Sequence, residues 1–127
     1  MKLQPGLAAE FSVEVTAADT ATAFGSGDVD VLATPRVVAL AEHATLLAVR
    51  DKLHSGHTTV GIEVSLRHRR PSPPGTTLVV GARLVEIDGD RLTFRVVVHV
   101  GASLVADGTV RRAVVERKQF LARAAES

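Results

Sequence analysis

The sequence predicts an α+β protein in which one long apolar helix lies against a curved antiparallel sheet of five strands. Three observations predict it. Residues 34–53 carry apolar side chains nearly all the way round a helical wheel; five other segments alternate or run apolar over strand lengths; and four of those five follow the helix, joined mainly by short turns. At 127 residues the chain is the size of one domain.

The elements follow in order. Over residues 9–16, Phe11, Val13 and Val15 share one face and Ser12, Glu14 and Thr16 the other, the period of a half-buried first strand. Residues 17–33 are rich in small side chains, Gly and Asp without periodicity, and read as a mobile loop or lid. Thr34-Pro35 then opens the helix, with Thr34 as N-cap and Pro35 at the first helical position, where its missing N–H is not needed. Val37, Val38, Leu40, Ala41, Ala44, Leu46, Leu47, Ala48, Val49 and Leu53 mark it as buried, which leaves Glu42 out of place. Gly56 is available as a left-handed cap after Arg50 and Lys52 in the last turn.

From about Thr58 to Arg70 alternation returns, with Val60, Ile62, Val64, Leu66 and His68 on one face and Thr59, Gly61, Glu63, Ser65, Arg67 and Arg69 on the other. Residues 71–75 form a turn. An apolar run from about Thr76 to Ile87 leads into Asp88-Gly89-Asp90, a hairpin signal, and Leu92, Phe94, Val96, Val98 and Val100 alternate in the next strand. The fifth strand runs from about Leu104 to Val115, with Asp107-Gly108 suggesting a bulge, and a charged tail follows. An uncovered sheet edge is an association liability, so a dimer is expected.

Composition narrows the chemistry. Fifteen Lys and Arg against fourteen Asp and Glu give a net charge of +1, which offers no general attraction to nucleic acid or an anionic membrane. Four Phe without Tyr or Trp provide no base-stacking platform. The absence of Cys excludes disulfides, thiolate chemistry and Cys-based zinc sites and fits a cytoplasmic location. No run approaches the ~18 apolar residues of a spanning helix, and no targeting segment is evident. His54 and His57 are two imidazoles without a third ligand nearby, so no metal site is expected.

Taken together, three stretches resemble the hotdog-fold acyl-CoA thioesterases, in particular the branch similar to fluoroacetyl-CoA thioesterase. They are Val31-Leu32-Ala33-Thr34-Pro35 with Glu42 beyond it, Thr59-Val60-Gly61 with His68 and Ser72-Pro73-Pro74-Gly75, and Gly108-Thr109 with Arg112-Ala113-Val114. The likeness runs roughly from residue 9 to residue 118. It implies a hotdog fold, a homodimer or a tetramer, no cofactor, and hydrolysis of a small or medium acyl-CoA at a site on the subunit interface. By the same resemblance Thr34, Glu42 and His68 would be catalytic, and Gly61 and the late-strand arginine Arg112 would bind substrate. The fluoroacetyl-specific branch carries phenylalanines in a lid before the Thr segment, whereas here only Phe24 stands near Gly25, Ser26 and Gly27.

The residue types suit the chemistry, because thioester hydrolysis needs a base and donors for the developing oxyanion. A carboxyl buried in an aliphatic helix would have its pKa pushed upward, although Glu42 could instead sit on an exposed stripe. Thr34 could be only an N-cap, or could also act in the positive field of the helix N-terminus. His68 could be a satisfied core histidine or a base orienting Thr34 or Glu42. Eight residues separate Thr34 from Glu42, about 12 Å along a helix, so either long side chains and a water close the gap or the site is composed from two protomers; the resemblance favours the second, since hotdog active sites lie at the subunit interface. Arg67, Arg69, Arg70, Arg111 and Arg112 could hold coenzyme A phosphates or belong to a solvated strand end, and Arg112 could form a buried ion pair. The alternatives in function are a non-catalytic module that binds acyl-CoA and a hydratase. For the hydratase, Asp28 and Asp30 lack the His expected about five residues on at the helix entry.

Overall fold

A computed structural model of the chain describes residues 2–126. The elements are β1 (Ala8–Glu14), a 3₁₀ turn (Ala17–Asp19), α1 (Ala21–Phe24), α2 (Thr34–Val49), a 3₁₀ turn (Arg50–Lys52), β2 (His57–His68), β3 (Thr77–Asp88), β4 (Arg91–Val100), β5 (Ser103–Glu116) and α3 (Arg117–Ala125). All five strands form one antiparallel sheet in the order β1-β3-β4-β5-β2, so β1 and β2 are its edges. Helix α2 packs on one face of this sheet, mainly against β3 and β1.

The core lies between them and follows from period two: Leu78, Val80, Ala82 and Leu84 of β3 and Leu92, Phe94, Val96 and Val98 of β4 all point at the helix and are buried. Each buried Leu, Val or Phe contributes roughly 1.5–3 kcal/mol relative to exposure, so this layer dominates stability. Across from it α2 buries Val37, Leu40, Ala41, Ala44, Thr45, Ala48 and Val49. The helix is not enclosed all round, however. Val38, Leu46 and Leu47 are half-buried and Ala39 and His43 are exposed, because the sheet covers only one side of it.

Several expectations are revised. Within residues 17–33, residues 17–24 are not loop but two helical turns held by local polar groups, while 25–33 are irregular as expected apart from a bridge of Leu32 with Thr20. The Thr16 N–H and hydroxyl both donate to Asp19 Oδ2 (2.8 and 3.0 Å), Arg36 Nε donates to Oδ1 (2.9 Å), and the Asp19 carbonyl accepts from Ala33 N–H (2.8 Å). Burial alone would raise the Asp19 pKa, but the Thr16 hydrogen bonds and the Arg36 charge together outweigh it and hold the carboxyl below its usual value. Such side-chain bonds leave no apolar period to read.

The N-cap of α2 is Ala33, without a side-chain cap, and Thr34 occupies the first helical turn beside Pro35. The Thr34 hydroxyl is therefore not spent on capping. Strand β2 carries a bulge between Gly61 and Glu63, where its register against β5 shifts. Beyond the bulge Val64, Leu66 and His68 are half-buried as expected; before it the parity reverses, so Thr59 is buried and Ile62 is 41% exposed. No bulge falls at Asp107-Gly108, whose pairing with β2 is continuous. Gly108 instead allows close approach, since a Cβ there would run into the Ser65 carbonyl and Leu66. The charged tail forms α3, capped by the Glu116 carboxylate accepting from Gln119 N–H (2.7 Å).

Candidate active site

Two polar clusters occupy the side of α2 that faces β2. At its N-terminus, exposed Thr34 places Oγ1 2.9 Å from Nδ1 of His68, the last residue of β2. Strand and helix are joined here by residues 34 positions apart in the chain. Burial pushes the His68 imidazole below its usual pKa, with the Arg70 backbone pulling part of the way back. The ring is therefore neutral at pH 7, when one nitrogen can accept a proton. Its Nε2 is buried and has no hydrogen-bond partner among the described residues. A cavity of about 330 Å³ opens at this point, lined by Thr34, His68, Arg70 and by Ala21, Gly27, Val29 and Leu32 of the 17–33 segment. Phe24 is not in that lining and is 45% exposed.

The second cluster lies two helical turns along. Glu42 Oε2 accepts from Arg112 Nη1 (3.3 Å), while Arg112 Nε donates to Thr59 Oγ1 (2.8 Å) and Nη2 to the Thr59 carbonyl (2.9 Å). The Arg112 side chain is 8% exposed and that of Glu42 34%. Burial pulls the guanidinium pKa down and the Glu42 carboxylate opposes it; arginine stays charged throughout. Glu42 is thus a paired, partly exposed carboxylate rather than the desolvated lone group that the apolar helix suggested. Gly61 completes the cluster, because a Cβ at this position would collide with Glu42 Oε2.

All five residues singled out by resemblance therefore fall into these clusters: Thr34 with His68, and Glu42 with Gly61 and Arg112. Within one chain no hydrogen bond joins the two groups. Of the other arginines, Arg69 pairs with Asp107 (2.7 Å) and Arg111 with Glu63 (3.6 Å), both on the solvated surface, while Arg70 makes only a 3.4 Å bond to Ser103 Oγ and lines the cavity mouth. Thr59 was missed because uninterrupted alternation puts it on the outer face. The glycine two positions later, inside a strand, was the available signal for a bulge. Among the described residues no three His, Cys, Asp or Glu side chains converge as metal ligands, and no helix is long and apolar enough to cross a membrane.

The arrangement has close relatives. Residues 15–118 match the family of fluoroacetyl-CoA-specific thioesterases. The fluoroacetyl-CoA thioesterase of Streptantibioticus cattleyicolor is 35% identical over 94 residues, covering 74% of this chain and 68% of that protein. A solved structure of the fluoroacetyl-CoA thioesterase FlK superposes with a TM-score of 0.93 at 27% identity, covering 100% of this chain and 98% of the other. A Thermus thermophilus member of the thioesterase superfamily gives 0.90 at 25% identity, over 98% and 93% of the two chains. The fold alone extends to a hot-dog-like protein of Thermanaerovibrio acidaminovorans, with a TM-score of 0.88 at 19% identity. With the sheet wrapped on one helix, the Thr34–His68 and Glu42–Arg112 clusters on it and this match over most of its length, the chain belongs to the fluoroacetyl-CoA-specific thioesterase family, a hotdog-fold family of acyl-CoA thioester hydrolases.

Proposed function

We propose that this enzyme hydrolyses acyl-CoA thioesters with small or medium acyl groups, without a cofactor, at a composite site in a homodimer. Thr34 and His68 come from one protomer and Glu42, Gly61 and Arg112 from the other. The observation that carries this reading is the state of His68. Its Nδ1 holds the Thr34 hydroxyl while its Nε2 is buried and unpartnered, as a base requires before its orienting acceptor arrives. Glu42 of the same chain is about 12 Å along the helix from Thr34, at ~1.5 Å per residue. Glu42 of the partner subunit, held by Arg112 through one oxygen only, supplies that acceptor with the other.

Neutral His68 takes a proton through Nδ1 from the Thr34 hydroxyl or from a water that it holds. The oxygen adds to the thioester carbonyl, whose developing negative charge is met by the positive end of α2. The C–S bond then breaks, and the proton returns from His68 to the departing CoA sulfur; where the Thr34 oxygen was the nucleophile, a water deprotonated by His68 next adds to the Thr34 ester, the C–O bond to Thr34 breaks with return of the proton to its oxygen, and the acid leaves. Arg70, at the cavity mouth and weakly engaged, is placed to meet the phosphates of coenzyme A. A cysteine-free chain fits a cytoplasmic setting.

Release of CoA thiol from acetyl-, fluoroacetyl-, butyryl- and hexanoyl-CoA tests the reading, and the protein itself contributes no thiol. Each methylene added to the aliphatic pocket contributes up to ~0.8 kcal/mol, so kcat/KM should rise several-fold over the first carbons and then level off. The lining residues of the 17–33 segment and the outward Phe24 provide no aromatic gate, so fluoroacetyl should exceed acetyl only through its electrophilicity. A preference above about a thousandfold would overturn loose selectivity, and no release from any substrate would overturn the proposed substrate class.

A further inference from the structure

We infer that Thr59 is a positioning residue for the reaction, gripping Arg112 by two edges so that its guanidinium engages only one oxygen of Glu42 and leaves the other free for chemistry. The inference rests on the reading of Glu42 given above. Thr59 is 4% exposed and Arg112 7%, so their contacts are made away from competing solvent. Both edges of one residue are used: the hydroxyl accepts from Nε at 2.8 Å and the carbonyl from Nη2 at 2.9 Å. Because a guanidinium is planar and rigid, two such bonds fix both its plane and its rotation within that plane. The position of Nη1, and its single 3.3 Å bond to Glu42 Oε2, follows.

A free arginine beside a carboxylate tends toward two parallel N–H···O bonds, which would occupy both oxygens. Nη2, the donor needed for that second bond, is instead turned to the Thr59 carbonyl. Glu42 cannot impose the geometry itself, because its side chain is 34% exposed and its bond to Arg112 is the longest of the three. The backbone completes the device. The bulge after Gly61 brings Thr59 to the helix side of β2, and Gly61 leaves the space that Glu42 Oε2 occupies.

The test compares Thr59→Val, Thr59→Ser, Glu42→Gln and the Thr59→Val/Glu42→Gln double variant by kcat and KM for butyryl-CoA hydrolysis. Thr59→Val should lower kcat by about tenfold or more with KM changed less than about twofold, because it removes the Nε bond and leaves the guanidinium on the Thr59 carbonyl alone, about which it can pivot toward the second oxygen of Glu42. Thr59→Ser keeps the acceptor and should stay within about threefold of the parent. In the Glu42→Gln background Thr59→Val should have no further effect on kcat, since the oxygen it protects no longer serves as a carboxylate. A Thr59→Val enzyme with parental kcat, or a loss that adds in full to that of Glu42→Gln, overturns the inference. Parental kcat in Glu42→Gln alone overturns instead the reading on which it rests. Should Thr59→Val fail to fold, Thr59→Ala also removes the hydroxyl and carries the same comparison.

Discussion

His68 couples activity and stability to pH in the same direction. Burial disfavours its imidazolium, so the folded ring stays neutral to lower pH than an exposed imidazole. Acting as base, it should give kcat/KM an acid limb, and His68→Asn should abolish that limb with most of the activity. The sign of the stability effect follows from the depressed pKa. Above about pH 6.5 the ring is neutral in both folded and unfolded states; as pH falls from there the unfolded chain binds a proton more readily, and stability is lost. Thermal denaturation between pH 7.5 and 5 should show this fall in the parent and a smaller one in His68→Asn, whereas equal slopes would show that the buried imidazole does not titrate as described. Thr34 was legible as a helix-start residue, but its partner lies 34 positions away, so its release from capping was not.

Between elements, the seam of β2 with β5 decides where the second cluster can form. Gly108 sits opposite Leu66 in that seam, and its missing side chain lets the strands close to pairing distance. A methyl group there would meet the Ser65 carbonyl and Leu66, and the atom it meets first is β2 backbone, which cannot swing aside as a side chain could. Gly108→Ala should therefore destabilise the fold by at least about 2 kcal/mol, the scale of overpacking a closed site, seen as a lowered Tm. An unchanged Tm would mean that the strands part without cost. The strand period of β4 was readable because alternation is a property of neighbouring residues, whereas β3 showed only as an apolar run. The bulge at Gly61 was not readable, because which residue is left unpaired depends on the register β5 imposes. The turns at 17–24 escaped for a related reason: Thr16, Asp19 and Arg36 are held by polar bonds, which have no periodic signature.

Among the described residues, two sheet edges, one flank of α2 and His68 Nε2 are left without partners. Association of two copies through one of these edges would cover that edge, the flank of α2 and Nε2 together, so light scattering at micromolar concentration should give twice the 13.4 kDa of one chain. A mass near 13.4 kDa would count against both the dimer and the composite site. What the sequence determined alone was the α+β class, the order of helix and strands and the apolar faces that meet in the core, because side-chain periodicity along a helix or strand is local and hydrophobic burial acts on it directly. Resemblance added the names of Thr34, Gly61, Glu42, His68 and Arg112. Only the tertiary structure decided their grouping: Thr34 turned to His68, Glu42 held on one oxygen, and Thr59 brought inside to grip Arg112. Those relations are set by strand register and by single hydrogen bonds between residues far apart in the chain, and a pattern of nearest neighbours carries no record of either.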